Sequence, residues 1–533
     1  MENGLLIIIS LLFAVSLLSM LSKRLGIAYP IFLVIAGLII GITPSIPNVS
    51  LDPDVVFIIF LPPLLYSAAW NTSWREFWAY RRSIALLAIG LVIFTSYAIA
   101  YISNVLISDF PLVLGFVLGG IISPPDAVAA TSVISRLKVP RRVIAILEGE
   151  SLVNDASSLT VFRFAVAAIY SGHFVLGKAV FSFFIIAGGG IFIGIAIAAI
   201  IYLLFRFLPT DPAIDTGITL MAPYLMYLSA EHFECSGVLA VVSGGLFLSY
   251  YSRSYFNYDS RLQVQSVWNT LVFLLNGIVF ILIGMQLPFI IQGLEAYSLS
   301  QAIGYAVIIS LSTVAIRILW VFLGSYLPWL LSKKIRDAEG KQNWKEVFII
   351  AWSGMRGVVS LASALTIPVA LLNGQLFPHR NLILFITFSV ILFTLVLQGL
   401  SLPLVIKWLK IDGDDGSMSE QKLQLNKQLA EVAINYLDDH FARELNNNED
   451  YRRIRERYER IAQQADQLMS DYRQSKPAKH VIRGIRTATL ELIKIQRAQL
   501  EEMHNKDEHK EELLRNKEHE LDLEEARLRR IGV

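Results

Sequence analysis

Residues 119–133 have the sequence GGIISPPDAVAATSV and lie inside an apolar run long enough to cross a lipid bilayer. Pro124 and Pro125 have no backbone N–H, so they interrupt any helix that runs through them, directly before the carboxylate of Asp126. Lipid cannot hydrogen-bond the backbone groups that such a break exposes, so the break must be buried in protein or line a cavity. The stretch therefore predicts a helical membrane protein with an interrupted span beside a buried acid.

The composition predicts a membrane domain followed by a polar tail. Of the 533 residues, 54% are hydrophobic and 17% are charged, which is less charge than soluble domains carry. Apolar runs fill residues 1–410, the expected transmembrane domain, whereas residues 411–533 are mostly polar and form the expected helical cytoplasmic tail, with a break at Pro477. The single cysteine, Cys235, excludes a disulfide framework and a cysteine-based metal cluster.

Apolar length divides the membrane domain into thirteen expected helical spans, because about 20 apolar residues cross the hydrocarbon core. The expected spans are 4–22, 26–46, 54–70, 82–107, 110–134, 144–170, 176–207, 214–231, 234–251, 266–292, 300–331, 346–371 and 380–409. Basic residues cluster in the odd-numbered connections, and only Lys178 and Arg380 occur in the even-numbered ones. Since basic loops stay in the cytoplasm, the N-terminus is expected outside and the tail inside.

A second interrupted span is expected in AWSGMRGVVSLASALTIP, residues 351–368, where Gly354 and Gly357 weaken the helix around Arg356. A pair of discontinuous spans in corresponding positions is typical of a transporter site. These are spans 5 and 12, and their odd offset of seven gives the second copy the opposite orientation. We therefore expect an all-α polytopic membrane protein with two inverted six-helix repeats, spans 1–6 and 8–13, joined by span 7.

Charged side chains at bilayer depth are costly unless they are paired or hydrated, so each is a candidate functional residue. The deep ones are Asp126, Glu150, Asp155, Arg163, Arg317 and Arg356. The structural alternative for each is an ion pair that only holds helices together, and for Arg163 this alternative is favoured.

Span 6 carries a polar cluster in GESLVNDASSL, residues 149–159. Ser151 and Asp155 are four residues apart and stack on one helical face, as do Glu150 and Asn154. Carboxylate, hydroxyl and amide oxygens suit a hard cation such as Na⁺, whereas Ca²⁺ would usually require more carboxylates. Burial favours the neutral form of a carboxyl group, so a proton can compete with the cation. The cluster predicts a site at which Asp155 binds either Na⁺ or H⁺.

Five motifs, in this order, resemble the sodium–hydrogen exchanger family of monovalent cation–proton antiporters over essentially the whole membrane domain. They are FLPPLLY (60–66), SPPDAVAAT (123–131), EGESLVNDA (148–156), the span around Arg317, and SGMRGVVSLA (353–362). The Asn-Asp pair of span 6 is similar to that of the electroneutral branch, and the chain resembles a bacterial member.

The resemblance implies a role for each site residue. Asp155 would be the carboxylate that carries the cation and the proton. Asp126 and Ser151 would contribute to the site, and Asn154 would fix its geometry. Glu150 would pair with Arg317, and Arg356 would be a structural residue of span 12.

The resemblance also implies an architecture and a physiology. Spans 5 and 12 would cross as discontinuous helices, and a core of spans 4–6 and 11–13 would move, elevator-like, against a dimerisation scaffold of spans 1–3 and 8–10. The homodimer would exchange Na⁺ for H⁺ in the bacterial inner membrane, with Li⁺ and K⁺ as alternative cargo, and would serve pH homeostasis. It would not be an enzyme, and no cofactor, ATP or nucleic acid is expected.

Three departures from the family pattern stand out. Pro125 occupies a position where many members have threonine, which removes a hydroxyl ligand. Ser67 occupies a position where many prokaryotic members have glutamate, which leaves Arg356 without its usual partner. The long tail matches no motif.

The sequence also bears on functions other than antiport. A K⁺/H⁺ antiporter of the same fold stays open, because selectivity depends on cavity size and ligand position. A cation channel is less favoured, since no filter-like sequence repeats. An intramembrane aspartyl protease would use Asp126 and Asp155, but neither span carries the signatures of that chemistry. GHFVLGKA, residues 172–179, lacks the final Ser or Thr of a P-loop, so it does not indicate nucleotide binding.

Overall fold

The computed structural model describes residues 2–25, 28–43, 56–134, 137, 139–171, 176–294, 297–339, 343–371, 375–411, 415–473 and 490–500, and the single positions 503, 517, 521, 522, 524 and 525. Regular secondary structure in these ranges is helical, apart from one isolated antiparallel bridge between Ala370 and Leu376. The chain divides into two compact units, Met1–Gly413 and Asp414–Val533.

Each of the thirteen ranges that hydropathy assigns to spans contains helical residues among those that the structure describes. The helices are α1 (Glu2–Leu25), α2 (Tyr29–Ile42), α3 (Leu61–Asn71), α4 (Arg81–Leu106), α5a (Leu112–Ile122), α5b (Ala127–Ile134), α6 (Arg141–Ser171), α7 (Leu176–Phe207), α8 (Pro212–His232), α9 (Gly237–Tyr255), α10 (Tyr258–Gln292), α11 (Leu299–Leu331), α12a (Trp344–Trp352), α12b (Val358–Leu365) and α13 (Arg380–Leu409). Within the described residues, seven are long and apolar enough to cross a membrane: α4, α5 taken through its interruption, α6, α7, α10, α11 and α13.

Helix α3 begins irregularly because two prolines near its start cannot donate backbone hydrogen bonds. Val56–Phe60 form a π-helical turn, and Pro62 and Pro63 follow it. In a regular helix the carbonyl of Ile59 would accept from position 63, which is a proline here. Instead it accepts from the Tyr224 hydroxyl of α8 at 3.1 Å. A tertiary contact thus satisfies a carbonyl that the local sequence leaves free.

Span 12 is shorter than expected. Its last helical residue is Leu365 rather than residue 371, so that boundary was wrong. The physical reason is Pro368, which disfavours helical backbone at the preceding Ile367. The carbonyl of Ile367 accepts from Arg380 Nε at 2.8 Å instead of continuing a helix.

Helices α2 and α10 pack closely through glycines. A methyl group at Gly37 of α2 would collide with the Ile281 backbone, and one at Gly284 of α10 would collide with the carbonyl of Val34. Small residues at such contacts let membrane helices approach until their backbones touch. The two helices therefore form one closely packed pair.

The second unit begins with the helices α14 (Asp415–His440), α15 (Ala442–Asn447) and α16 (Glu449–Arg473). Helix α14 packs against α16, and two ion pairs join them, Lys427 with Asp466 and Arg455 with Asp438, each at 2.7 Å. The hydrogen bond from Arg455 lowers the pKa of the Asp438 carboxyl group. Pro477, the predicted break, lies outside the described residues.

Candidate functional site

The two interrupted helices contact each other at their breaks. Helix α5a ends at Ile122 and α5b begins at Ala127, while residues 353–357 separate α12a from α12b. Across this contact the backbone N–H of Asp126 donates to the carbonyl of Met355 at 2.7 Å. The backbone groups that each break exposes are therefore partly satisfied by the other break, as burial in an apolar environment requires.

Arg356 lies buried between the breaks, and its side chain donates hydrogen bonds to backbone carbonyls. Its Nε donates to the carbonyl of Ile122 at 2.7 Å, and its Nη1 donates to the carbonyl of Gly354. Its backbone N–H donates to Thr394 Oγ1 of α13 at 3.1 Å. The Ile122 carbonyl is one that the break in α5 leaves without an intrahelical partner. Arg356 therefore joins the two breaks through backbone carbonyls.

Asn154 holds the break of α5 from the neighbouring helix α6. Its Nδ2 donates to the carbonyl of Pro125 at 2.8 Å, and the side chain is completely buried. Its Oδ1 has no hydrogen-bond partner among the described residues. Because a buried carbonyl without a partner is costly, this contact stabilises the interruption directly before Asp126.

Asp126, Ser151 and Asp155 line one cavity, which is bounded by α3, α5, α6, α10 and α12b. Asp126 Oδ1 accepts from the N–H of Val128 at 2.8 Å, and Ser151 Oγ accepts from the N–H of Ala127 at 3.4 Å. Asp155 is only 7% exposed. No described lining residue is basic. Two carboxylates in such a cavity need a cation or protons to balance their charge.

Glu150 does not line this cavity and is neutralised on another side of α6. Its carboxylate forms a two-point ion pair with Arg317 of α11, with N–O distances of 2.6 and 2.8 Å. Both side chains are 1% exposed, and Arg317 Nη2 also donates to the carbonyl of Ile350 at 3.1 Å. Planar two-point pairing is the strongest form of this contact, so Glu150 and Arg317 join α6 to α11.

Arg163 lies apart from the cavity. Its Nη2 contacts Glu231 Oε2 at 3.1 Å, with side-chain exposures of 52% and 31%. A partly exposed pair of this kind contributes little to stability. The contact agrees with the structural interpretation of Arg163 rather than with a role in ion binding.

Two polar residues of the cavity were missed by the sequence interpretation, Asn276 of α10 and Ser360 of α12b. Both are 2% exposed. A signal was present for Asn276, because it interrupts the apolar run LVFLLNGIVF, residues 271–280. Polar residues inside membrane helices are candidate functional positions as charged ones are, and the sequence interpretation rested on charged residues alone.

Comparisons with known sequences give relatives along most of the membrane unit. The profile of the family described as "Sodium/hydrogen exchanger, transmembrane" matches residues 8–408. The chain is 37% identical over 388 residues to the "Sodium, potassium, lithium and rubidium/H(+) antiporter" of Bacillus pumilus, covering 71% of this chain and 58% of the relative. It is 33% identical over 437 residues to the "Uncharacterized Na(+)/H(+) exchanger Mb2309" of Mycobacterium bovis, covering 81% of this chain and 80% of the relative. The chain thus spans a little over half of the Bacillus relative.

Comparison with solved structures identifies the fold. The sodium proton antiporter MjNhaP1 from Methanocaldococcus jannaschii, solved at pH 8, superposes with a TM-score of 0.61 at 22% identity, covering 77% of this chain and 99% of that chain. The resemblance that the motifs predicted is therefore confirmed, and the chain belongs to the sodium/hydrogen exchanger family.

Proposed function

We propose that this protein is a secondary antiporter that exchanges Na⁺ for H⁺ across the bacterial inner membrane. The observation that carries the proposal is the cavity that holds Asp126 and the buried Asp155 and has no basic residue among its described lining. Because an uncompensated buried charge is costly, this cavity favours occupation by a monovalent cation or by protons. Family membership and the names of the relatives support antiport, and the Bacillus pumilus name supports Li⁺ and K⁺ as further cargo.

Asp155 is the proposed carrier, which loads either the cation or a proton. Ser151 shares its helical face and supplies a hydroxyl oxygen, and Asp126 supplies a second carboxylate from the break of α5. Asn154 and Arg356 are positioning residues, since their hydrogen bonds end on the backbone of the break. One cation out for one proton in leaves the net charge of the site unchanged in each cycle, so exchange is electroneutral.

We also propose how the observed helices are arranged in the membrane. Helices α1–α13 cross the membrane thirteen times, as inverted repeats α1–α6 and α8–α13, with α5 and α12 crossing at their breaks. The N-terminus lies outside and the tail in the cytoplasm, because basic residues cluster in the odd-numbered connections. Two copies pair through α1–α3 and α8–α10, and the core of α4–α6 and α11–α13 moves. No cofactor takes part, and the exchange serves pH homeostasis.

The test uses everted membrane vesicles that respiration has acidified, with vesicles from a host lacking this chain as the control. Addition of Na⁺ is expected to dissipate the pH gradient, and a series of Li⁺ and K⁺ additions ranks the cargo. Clamping the membrane potential at zero should leave the initial rate unchanged if exchange is electroneutral. A cation current through the reconstituted protein, without coupled proton movement, would instead identify a channel.

The break of α12 offers a prediction about site geometry. Gly357→Ala adds a methyl group that collides with the Asp126 carboxylate, and the carboxylate must move to accommodate it. We expect the apparent KM for Na⁺ to rise about tenfold, equivalent to the loss of about 1.4 kcal/mol of binding. Gly304→Ala on α11 is the matched control, since nothing lies within 4 Å of its added methyl group. Equal KM values for the two variants would contradict the proposed part of Asp126 in the site.

A further inference from the structure

The cavity has two kinds of wall. Helices α5, α6 and α12b contribute its acids and hydroxyl groups. The remaining described lining residues come from α10, α3 and the π-helical turn before α3, and they are Phe57, Leu61, Leu64, Leu65, Ala68 and Asn276. Five of these six are apolar. Asn276 therefore carries the one polar side chain that this second wall presents, among the described residues, to the space shared with Asp155.

The position of Asn276 is fixed by packing around it. The neighbouring Gly277 lies against the Val15 side chain of α1, where an added methyl group would collide. Glycine-mediated packing of α10 on α2 holds the same helix further along. Asn276 is 2% exposed, and a buried amide is costly unless it makes hydrogen bonds or binds a ligand. Because Asn276 lines the cavity, an ion or molecule inside the cavity can bind its amide group.

Ser360 gives an independent sign that the cavity holds a polar occupant. Ser360 is among the residues that line the same space from α12b, and it is 2% exposed. Its Oγ has no hydrogen-bond partner among the described residues. Asn276 and Ser360 are therefore two buried polar residues, on different helices, that line a cavity also containing two carboxylates.

We propose that Asn276 is a cation-selectivity residue, an inference that rests on the proposed function. Asn276 binds the transported ion from the α10 wall, and Ser360 is a second neutral ligand. An amide suits both loaded states of the site. Its carbonyl oxygen can coordinate a monovalent cation beside the carboxylates, and its NH₂ group can donate to a protonated carboxyl group. Because it is neutral, it adds an oxygen ligand without changing the charge that moves in each cycle.

The experiment compares Asn276→Leu, which keeps the size of the side chain and removes its polar groups, with Thr270→Ala, an exposed position on the same helix. In everted vesicles, Asn276→Leu is expected to raise the apparent KM for Na⁺ about tenfold, as for one lost oxygen contact. Its maximal rate should stay within about twofold of native, because Asp155 remains in place. The ratio of KM values for Na⁺ and Li⁺ should also change. Ser360→Ala should shift KM in the same direction, and Thr270→Ala should not.

A second readout separates binding from transport. In detergent-purified protein, the rise of the unfolding temperature on adding Na⁺ should be smaller for Asn276→Leu than for the native chain. Should Asn276→Leu fail to accumulate, Asn276→Ala, which adds no volume, is measured in the same way. Native KM values, native ion ratios and a native Na⁺-induced shift in these variants would overturn the inference.

The failure of this inference is distinguishable from failure of the proposed function. Asp155→Asn is measured in parallel preparations. Normal exchange by Asp155→Asn would contradict the proposed carrier itself. An inactive Asp155→Asn together with native ion affinity in the Asn276 variants would reject only the role of Asn276.

Discussion

Asp155→Asn is expected to abolish the Na⁺-dependent collapse of the pH gradient in everted vesicles while the protein still accumulates in the membrane. Asparagine has nearly the shape of aspartate but carries no negative charge and does not take up a proton at working pH. The cavity would then keep one carboxylate, Asp126, and could no longer alternate between a cation and a proton at residue 155. The rate should therefore fall to that of vesicles without this protein.

The control for this prediction is Asp215→Asn. Asp215 of α8 is also buried, at 3% exposure, and it is not among the cavity residues. The same chemical change there should leave Na⁺-dependent exchange in place once the rates are normalised to the amount of protein in the membrane. Exchange by Asp155→Asn at half the native rate or more would show that another carboxylate carries the ion, and Asp126→Asn would then be the next variant to measure.

Glu150→Gln is expected to produce the largest loss of stability of any single substitution considered. It leaves the guanidinium of Arg317 buried, at 1% exposure, without its charge partner. Breaking a buried ion pair from one side costs about 3–5 kcal/mol, because the remaining charge stays desolvated. We expect a lower unfolding temperature in detergent and a lower amount of protein in the membrane. The apparent KM for Na⁺ of the protein that does fold should be close to native.

Two further variants test whether an uncompensated buried charge causes the loss of stability in Glu150→Gln. Replacing both partners, Glu150→Leu with Arg317→Met, should recover part of the lost stability, since apolar side chains remove the uncompensated charge. Arg163→Met breaks the partly exposed pair with Glu231 and should cost less than about 1 kcal/mol. A double variant no more stable than Glu150→Gln would contradict the explanation by an uncompensated buried charge. A tenfold higher KM for Na⁺ in Glu150→Gln at native stability would instead place Glu150 in the ion site.

Much of the site could be predicted from sequence because its signals are local. Pro124 and Pro125 cannot donate hydrogen bonds, so the interruption before Asp126 follows from their chemistry alone. The four-residue spacing of Ser151 and Asp155 places both on one helical face, and the structure finds both at one cavity. The pairing of Glu150 with Arg317 came from the family resemblance, since no local pattern joins two residues on α6 and α11.

Other features could not be predicted from the sequence, because they depend on how the helices pack. The partners of Arg356 are backbone carbonyls, one of them on α5a, and no side-chain motif encodes a carbonyl as a partner. The end of α12b at Leu365 was misjudged because an apolar run continues past the point where Pro368 stops the helix. Asn276 was overlooked because its significance depends on which face of α10 meets the cavity, and that face is set by contacts with α1 and α2.

Local sequence was sufficient to predict apolar helices with two breaks, and acids beside one of those breaks. Those properties follow from hydropathy over about 20 residues and from the missing N–H of proline, which are independent of distant residues. Helix packing determines which breaks contact each other. It also determines that Asp126 and Asp155 share a cavity and that Glu150 is neutralised by Arg317. Those outcomes depend on how helices far apart in sequence pack, since an ion pair or a cavity wall exists only where their side chains meet.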